Sequence, residues 1–150
     1  MFARFTKRAE RVVKLAQTIA REYELDYVGT EHILLAIARE GQGWGAGILL
    51  DKGLTEQSLQ PALERLIKQN MEDTWVFGRL PGTPHFRNVV ARAVQSADQL
   101  GCEGIGTEHL LLALLAEEGC IAHQALTQAG LSFDAVCDRV RRKLESDPQN

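Results

Sequence analysis

Aromatic residues make up only 6% of this 150-residue chain, so aliphatic side chains must supply most of any core. Cysteine is scarce too. Cys102, Cys120 and Cys137 form an odd set without a CxxC pair, which excludes a disulfide framework and a zinc knuckle. They read instead as small buried hydrophobes in a reducing compartment. Basic charge is not in excess: 17 Lys and Arg face 20 Asp and Glu, a net charge of -3, so no nucleic-acid partner is expected. The single basic run, Arg139, Arg141, Arg142 and Lys143, is interleaved with Val140 and Leu144 and reads as the solvated face of a last helix. No stretch approaches the ~20 apolar residues of a membrane span, so no membrane partner is expected. The first eight residues lack the apolar core and cleavage site of a signal peptide.

Catalytic signatures are also missing. No lysine follows a glycine, so there is no phosphate-binding Walker loop. The run Gly41-Gln42-Gly43-Trp44-Gly45-Ala46 has the letters of a dinucleotide fingerprint but follows a helical pattern rather than a strand. No serine or cysteine sits in a nucleophile elbow. No catalytic residue, metal or cofactor is expected.

What the chain does contain is an internal repeat. At an offset of 77 residues, Gly29-Thr30-Glu31-His32 falls on Gly106-Thr107-Glu108-His109. The register holds without a gap, from Thr6 on Thr83 through Val12-Val13 on Val89-Val90 to Gly53-Leu54 on Gly130-Leu131. The spacing predicts an all-α fold of two tandem four-helix repeats, eight helices in a pseudo-twofold arrangement. Repeat 1 covers about residues 2–69, a linker 70–82 and repeat 2 about 83–145.

In each repeat the first helix opens at a capping threonine, Thr6 or Thr83, the latter followed by Pro84 at the first helical position. The second helix begins at Thr30 or Thr107 and is apolar almost all round, as a central buried helix should be. A third covers about Gly45–Lys52 and Cys120–Ala129, stopped by Gly53 and Gly130. A fourth follows the caps Thr55 and Ser132. Trp75, Val76 and Phe77 lie in the linker and are expected to cover the seam between the repeats.

The repeated Gly-Thr-Glu-His is the one polar constellation present twice. Structurally, glycine allows the turn, Thr30 and Thr107 cap, and His32 and His109 point inward and hydrogen-bond to hold the repeats together. Neighbouring Glu and His point to different faces of a helix, so one pair cannot chelate a metal. Glu31 and Glu108 are less fully explained by structure. A carboxylate beside the backbone N–H groups of another helix start makes a paired site, the amides for an anion and the carboxylate for a guanidinium. Thr6 and Thr83 mark the nearest such starts in sequence.

Met1-Phe2-Ala3-Arg4-Phe5-Thr6-x-Arg8-Ala9, the twin Gly-Thr-Glu-His cores and the Thr-Pro helix start together resemble the N-terminal domain of ClpC-type AAA+ unfoldases, over about residues 1–145. The resemblance implies a non-catalytic, cytoplasmic or plastid-stromal module. It would recruit substrate proteins and adaptor proteins to a Clp ATPase or protease, in some cases by recognising phosphoarginine. It implies a first site of Phe5, Thr6, Arg8 and Glu31, and a second of Thr83, Pro84 and Glu108. The second departs from the family pattern at Gly82, His85 and Phe86, which removes a cation and a wall. A stand-alone regulator docking on a Clp protease or unfoldase, and an oligomerisation scaffold using Trp44 and residues 75–77, are the alternatives.

Overall fold

A computed structural model describes residues 4–25, 27–69 and 84–146; Thr83, the linker and Trp75–Phe77 fall outside them. The described residues form eight helices: α1 (Lys7–Glu22), α2 (Thr30–Glu40), α3 (Trp44–Asp51), α4 (Glu56–Gln69), α5 (Pro84–Gln99), α6 (Thr107–Ala116), α7 (Ile121–Gln128) and α8 (Phe133–Ser146). The expected two-by-four organisation is the one observed.

Local chemistry explains most of the helix ends. Thr6 Oγ1 accepts from Ala9 N–H at 3.2 Å, Thr55 and Ser58 cap reciprocally, and Ser132 Oγ accepts from Ala135 N–H. After α3 and α7 the chain turns through Gly53 (φ 71°) and Gly130 (φ 91°), a left-handed conformation that glycine adopts without strain.

The two apolar helices form the centre. Ile33, Leu34 and Ile37 of α2 and Leu110, Leu111 and Leu114 of α6 are all essentially inaccessible to solvent, and α2 packs on α6. Each central helix also carries its own repeat's first helix, α1 on α2 and α5 on α6. The third helices bridge both centres: α3 packs on α2 and α6, and α7 on α6 and α2. The repeats are interleaved, not merely adjacent.

The threonines of the repeated motif carry that interleaving, and here the sequence expectation is corrected. The N-caps of α2 and α6 are Gly29 and Gly106, while Thr30 and Thr107 are the first helical residues. Their hydroxyls reach the other repeat. Thr107 Oγ1 accepts from Gly45 N–H at 3.0 Å, and Thr30 Oγ1 accepts from Ala122 N–H at 3.4 Å. Gly45 and Ala122 are themselves equivalent under the 77-residue offset, so the two bonds are related by the pseudo-twofold. A Cβ on Gly43 would overlap Thr107 Oγ1, and one on Gly45 would lie 2.8 Å from the Thr107 carbonyl oxygen. The glycine-rich run therefore serves close helix packing.

The histidines act within their own repeats. His32 Nδ1 accepts from Gly29 N–H at 2.8 Å and His109 Nδ1 from Gly106 N–H at 2.9 Å, closing the start of each central helix. Burial holds both imidazoles down to a pKa of about 4.

Candidate functional site

The chain entering α1 pairs with the segment entering α6. Phe5 and Ile105 form a parallel bridge, Thr6 N–H donates to Ile105 O at 2.9 Å, and Ile105 N–H donates to Arg4 O at 2.8 Å. The Arg4 guanidinium adds bonds to the carbonyls of Cys102 and Glu103 and an ion pair to Asp98. The start of the first repeat's leading helix is thereby fixed beside the second repeat's motif.

A cavity of ≈ 390 Å³ opens at this junction. α1 contributes Thr6, Lys7, Arg8 and Arg11; the turn into α3 contributes Gln42, Gly43 and Trp44; the start of α6 contributes Gly106, Thr107 and Glu108. Three helix N-termini thus border one groove, each presenting the positive end of a backbone dipole. Lys7, Arg8 and Arg11 add formal charge, and Arg8, mostly exposed, sits 3.7 Å from Glu40. Glu40 also accepts from the Gln42 and Gly43 amides, which shapes the turn into α3.

Glu108 gives this cationic groove a carboxylate, and Gly106 explains how it fits. The Glu108 side chain is 1% exposed and folds back over Gly106, whose φ of -100° is ordinary extended backbone. A Cβ there would overlap Glu108 Oε1 and come within 2.9 Å of Cδ. Glycine is needed for the space it leaves rather than for its torsion angles. The same relation holds between Gly29 and Glu31. Glu108 also raises the pKa of Cys102, after the larger effect of burial.

The predicted first site is regrouped by this geometry. Thr6 and Arg8 share their cavity with Glu108, whereas Glu31 lines a separate, largely apolar cavity of ≈ 290 Å³ with Tyr23, Tyr27, Leu35 and Leu63. The pairing crosses between repeats because the Phe5–Ile105 bridge does. Phe5 is buried in the core at 6% exposure and does not line the groove, so it supports the site through its backbone.

At the second helix start, Pro84 is the first residue of α5. His85 stands where the first repeat has Arg8, and its Nδ1 lies 2.7 Å from Glu117, the counterpart of Glu40. Asn88 and Arg92 also bond Glu117, at 2.9 and 2.8 Å. Burial pushes the Glu117 carboxyl up, but these three hydrogen bonds and the Arg92 charge outweigh it and hold the pKa below the usual range. The described polar side chains here, His85, Asn88 and Arg92, converge on Glu117.

The sequence reading missed Lys7, Arg11, Gln42 and Gly43 as groove residues. The i, i+4 spacing of Lys7 and Arg11 was the available signal, since it places both on one helix face. Trp44 is half-buried, with Lys143 Nζ 4.8 Å from its ring centroid. Among the described residues no group of three or more His, Cys, Asp and Glu could hold a metal.

Comparison with known proteins matches the chain to the family described as Clp repeat (R) N-terminal domain, over residues 4–129 and again over 81–150. It is 36% identical over 147 residues to the negative regulator of genetic competence ClpC/MecB of Bacillus subtilis, covering 98% of this chain and 18% of that protein. It is 38% identical over 144 residues to the chloroplastic chaperone protein ClpC2 of Oryza sativa, covering 96% of this chain and 16% of that one. The chain thus spans less than a fifth of the length of these relatives. Among solved structures, the N-terminal domain of ClpD from Arabidopsis thaliana superposes with a TM-score of 0.76 at 23% identity, covering 97% of both chains. The N-terminal domain of the ClpV1 ATPase from E. coli gives 0.65 at 20% identity, covering 97% of this chain and 88% of that one. At these identities the structural likeness shows the fold.

Proposed function

The chain belongs to the Clp repeat N-terminal domain family, and from that premise we propose that it is a recognition module, binding substrate and adaptor proteins of a Clp system and taking phosphorylated arginine in the Thr6–Glu108 groove. One observation carries the reading: a carboxylate and the cationic start of a 16-residue helix are brought together in one cavity. Phosphoarginine joins a phosphoryl group to a guanidinium. The α1 amides, Lys7 and Arg8 suit the phosphoryl oxygens, and Glu108 suits the guanidinium, whose planar N–H fork matches a carboxylate. An anion lacking the guanidinium meets Glu108 as a like charge, which supplies discrimination. Chloroplastic and bacterial relatives favour a plastid stroma or bacterial cytoplasm as the site of action.

Calorimetric titration of free phosphoarginine tests the assignment. Glu108→Ala is expected to weaken binding at least tenfold, because a charge-assisted pair of about 1.5–3 kcal/mol is lost. Glu31→Ala is expected to leave it within about twofold. Equal losses in the two variants, or loss only in Glu31→Ala, would refute the crossed site.

A further inference from the structure

The pseudo-twofold supplies an internal control for surface charge, because every position in repeat 1 has a counterpart 77 residues on. The exposed face of α1 carries Lys7, Arg8, Arg11 and Lys14, which line a second cavity continuous with the groove and interrupted only by Glu10. Their counterparts on α5 are Pro84, His85, Asn88 and Ala91. On the far side of the groove, α8 places Lys143 over Trp44, the groove wall, and Arg139, Arg142 and Lys143 line a further cavity. Their counterparts on α4 are Ala62, Arg65 and Leu66. Two helices far apart in sequence have thus both gained cations relative to their copies, and both meet at the same groove. The chain as a whole carries -3, so this clustering is not a reflection of overall charge.

We propose that the groove is the midpoint of a cationic track, running from Lys14 along α1, across Trp44 and onto α8 at Arg142, that docks an extended Asp/Glu-rich polypeptide segment. The proposal rests on the reading of the groove as the recognition site and names a class of partner for it. Seven cations along the track outnumber the carboxylates beside it: exposed Glu10 and Asp138, buried Glu40 and Glu108, and Asp51, which is paired to Arg139. α1 alone extends the track by roughly 10 Å between Lys7 and Lys14, at about 1.5 Å per residue. That is longer than a single phosphoryl group needs and suits several acidic side chains on an extended chain. A single-stranded nucleic acid would need stacking platforms, and among the described residues lining these cavities the one aromatic, Trp44, is capped by Lys143.

Fluorescence anisotropy with a labelled peptide of about 12 residues rich in Asp and Glu tests this. The double variant Lys14→Glu/Arg142→Glu should raise Kd at least tenfold and flatten its salt dependence. Arg65→Glu/Arg87→Glu makes the same change in net charge on exposed positions of α4 and α5, and should change Kd less than twofold. The track variant should bind free phosphoarginine as the unmodified protein does, whereas Glu108→Ala should lose phosphoarginine and keep the acidic peptide. The two readings therefore fail separately. Equal effects of the two double variants, no binding of the peptide at low salt, or tighter binding of a 12-nucleotide single strand than of the peptide would overturn the proposal.

Discussion

Acidification from pH 6.5 to about 4 is expected to cost the fold several kcal/mol of stability through His32 and His109. Both rings are 1% exposed, and burial holds each folded-state pKa at about 4, with the Arg4 charge adding a smaller push on His109. In the unfolded chain a histidine titrates near 6.5. Between those values the unfolded state binds more protons than the folded one, so stability rises with pH through this window and falls as pH is lowered. Each ring contributes about 3 kcal/mol at full effect, at 1.36 kcal/mol per unit of pKa difference. The structural reason is plain. Each Nδ1 already accepts a backbone N–H, so a proton there would set two donors face to face. Among the described residues His109 Nε2 is buried without a hydrogen-bond partner, so the ring has no acceptor to stabilise a positive charge. Urea unfolding at several pH values checks this, with the stability slope between pH 4 and 6.5 as the readout. In His32→Gln/His109→Gln that slope should largely disappear, whatever the absolute stability. An unchanged slope would place the acid sensitivity in other groups; Glu117 acts mainly below this window. Its lowered pKa makes a contribution that is present above about pH 4.5 and is lost only below that, as pH falls through its folded value.

Gly106→Ala should destabilise the fold by about 1–3 kcal/mol and abolish phosphoarginine binding, although Gly106 has no side chain of its own to offer a ligand. The new methyl group occupies the space of the Glu108 carboxylate, so the carboxylate must leave its seat or the helix start must shift. The informative measurement is the double-mutant cycle. In Gly106→Ala/Glu108→Ala the overlap is relieved, and stability should recover part of what Gly106→Ala lost, giving a coupling of about 1–2 kcal/mol. Binding should not recover, because the carboxylate is gone. Additive stability changes would mean that glycine is needed there for its backbone freedom, contrary to the extended φ observed.

The scaffold was legible in the sequence because its determinants are local. Thr6, Thr55 and Ser132 announce helix starts by capping, Gly53 and Gly130 announce ends, and the uninterrupted apolar runs of α2 and α6 can only be central. Two features were not legible. Thr30 and Thr107 look like caps because threonine at a helix start usually is one. Here the preceding glycine takes that position and frees the hydroxyl to cross to the other repeat. The partner of each glutamate was also hidden. An internal repeat says that Glu31 and Glu108 are equivalent, and that Thr6 and Thr83 are equivalent. It is silent on whether each glutamate meets its own repeat's helix start or the other's. That choice is made by the pairing of Phe5 with Ile105, a contact 100 residues apart that no periodicity encodes. Once the crossing is known, the divergence between the repeats becomes readable. Arg8 remains mostly exposed at the groove, while His85 is drawn into the Glu117 cluster.

The crossed site is the central claim, and backbone amide shifts on titration with phosphoarginine test it most directly. Resonances of Thr6, Lys7 and Arg8 should move together with those of Gly106, Thr107 and Glu108, along one saturation curve, while Gly29, Thr30 and Glu31 stay in place. Movement of Gly29–Glu31 together with Thr6–Arg8, and a silent Gly106–Glu108 segment, would contradict it.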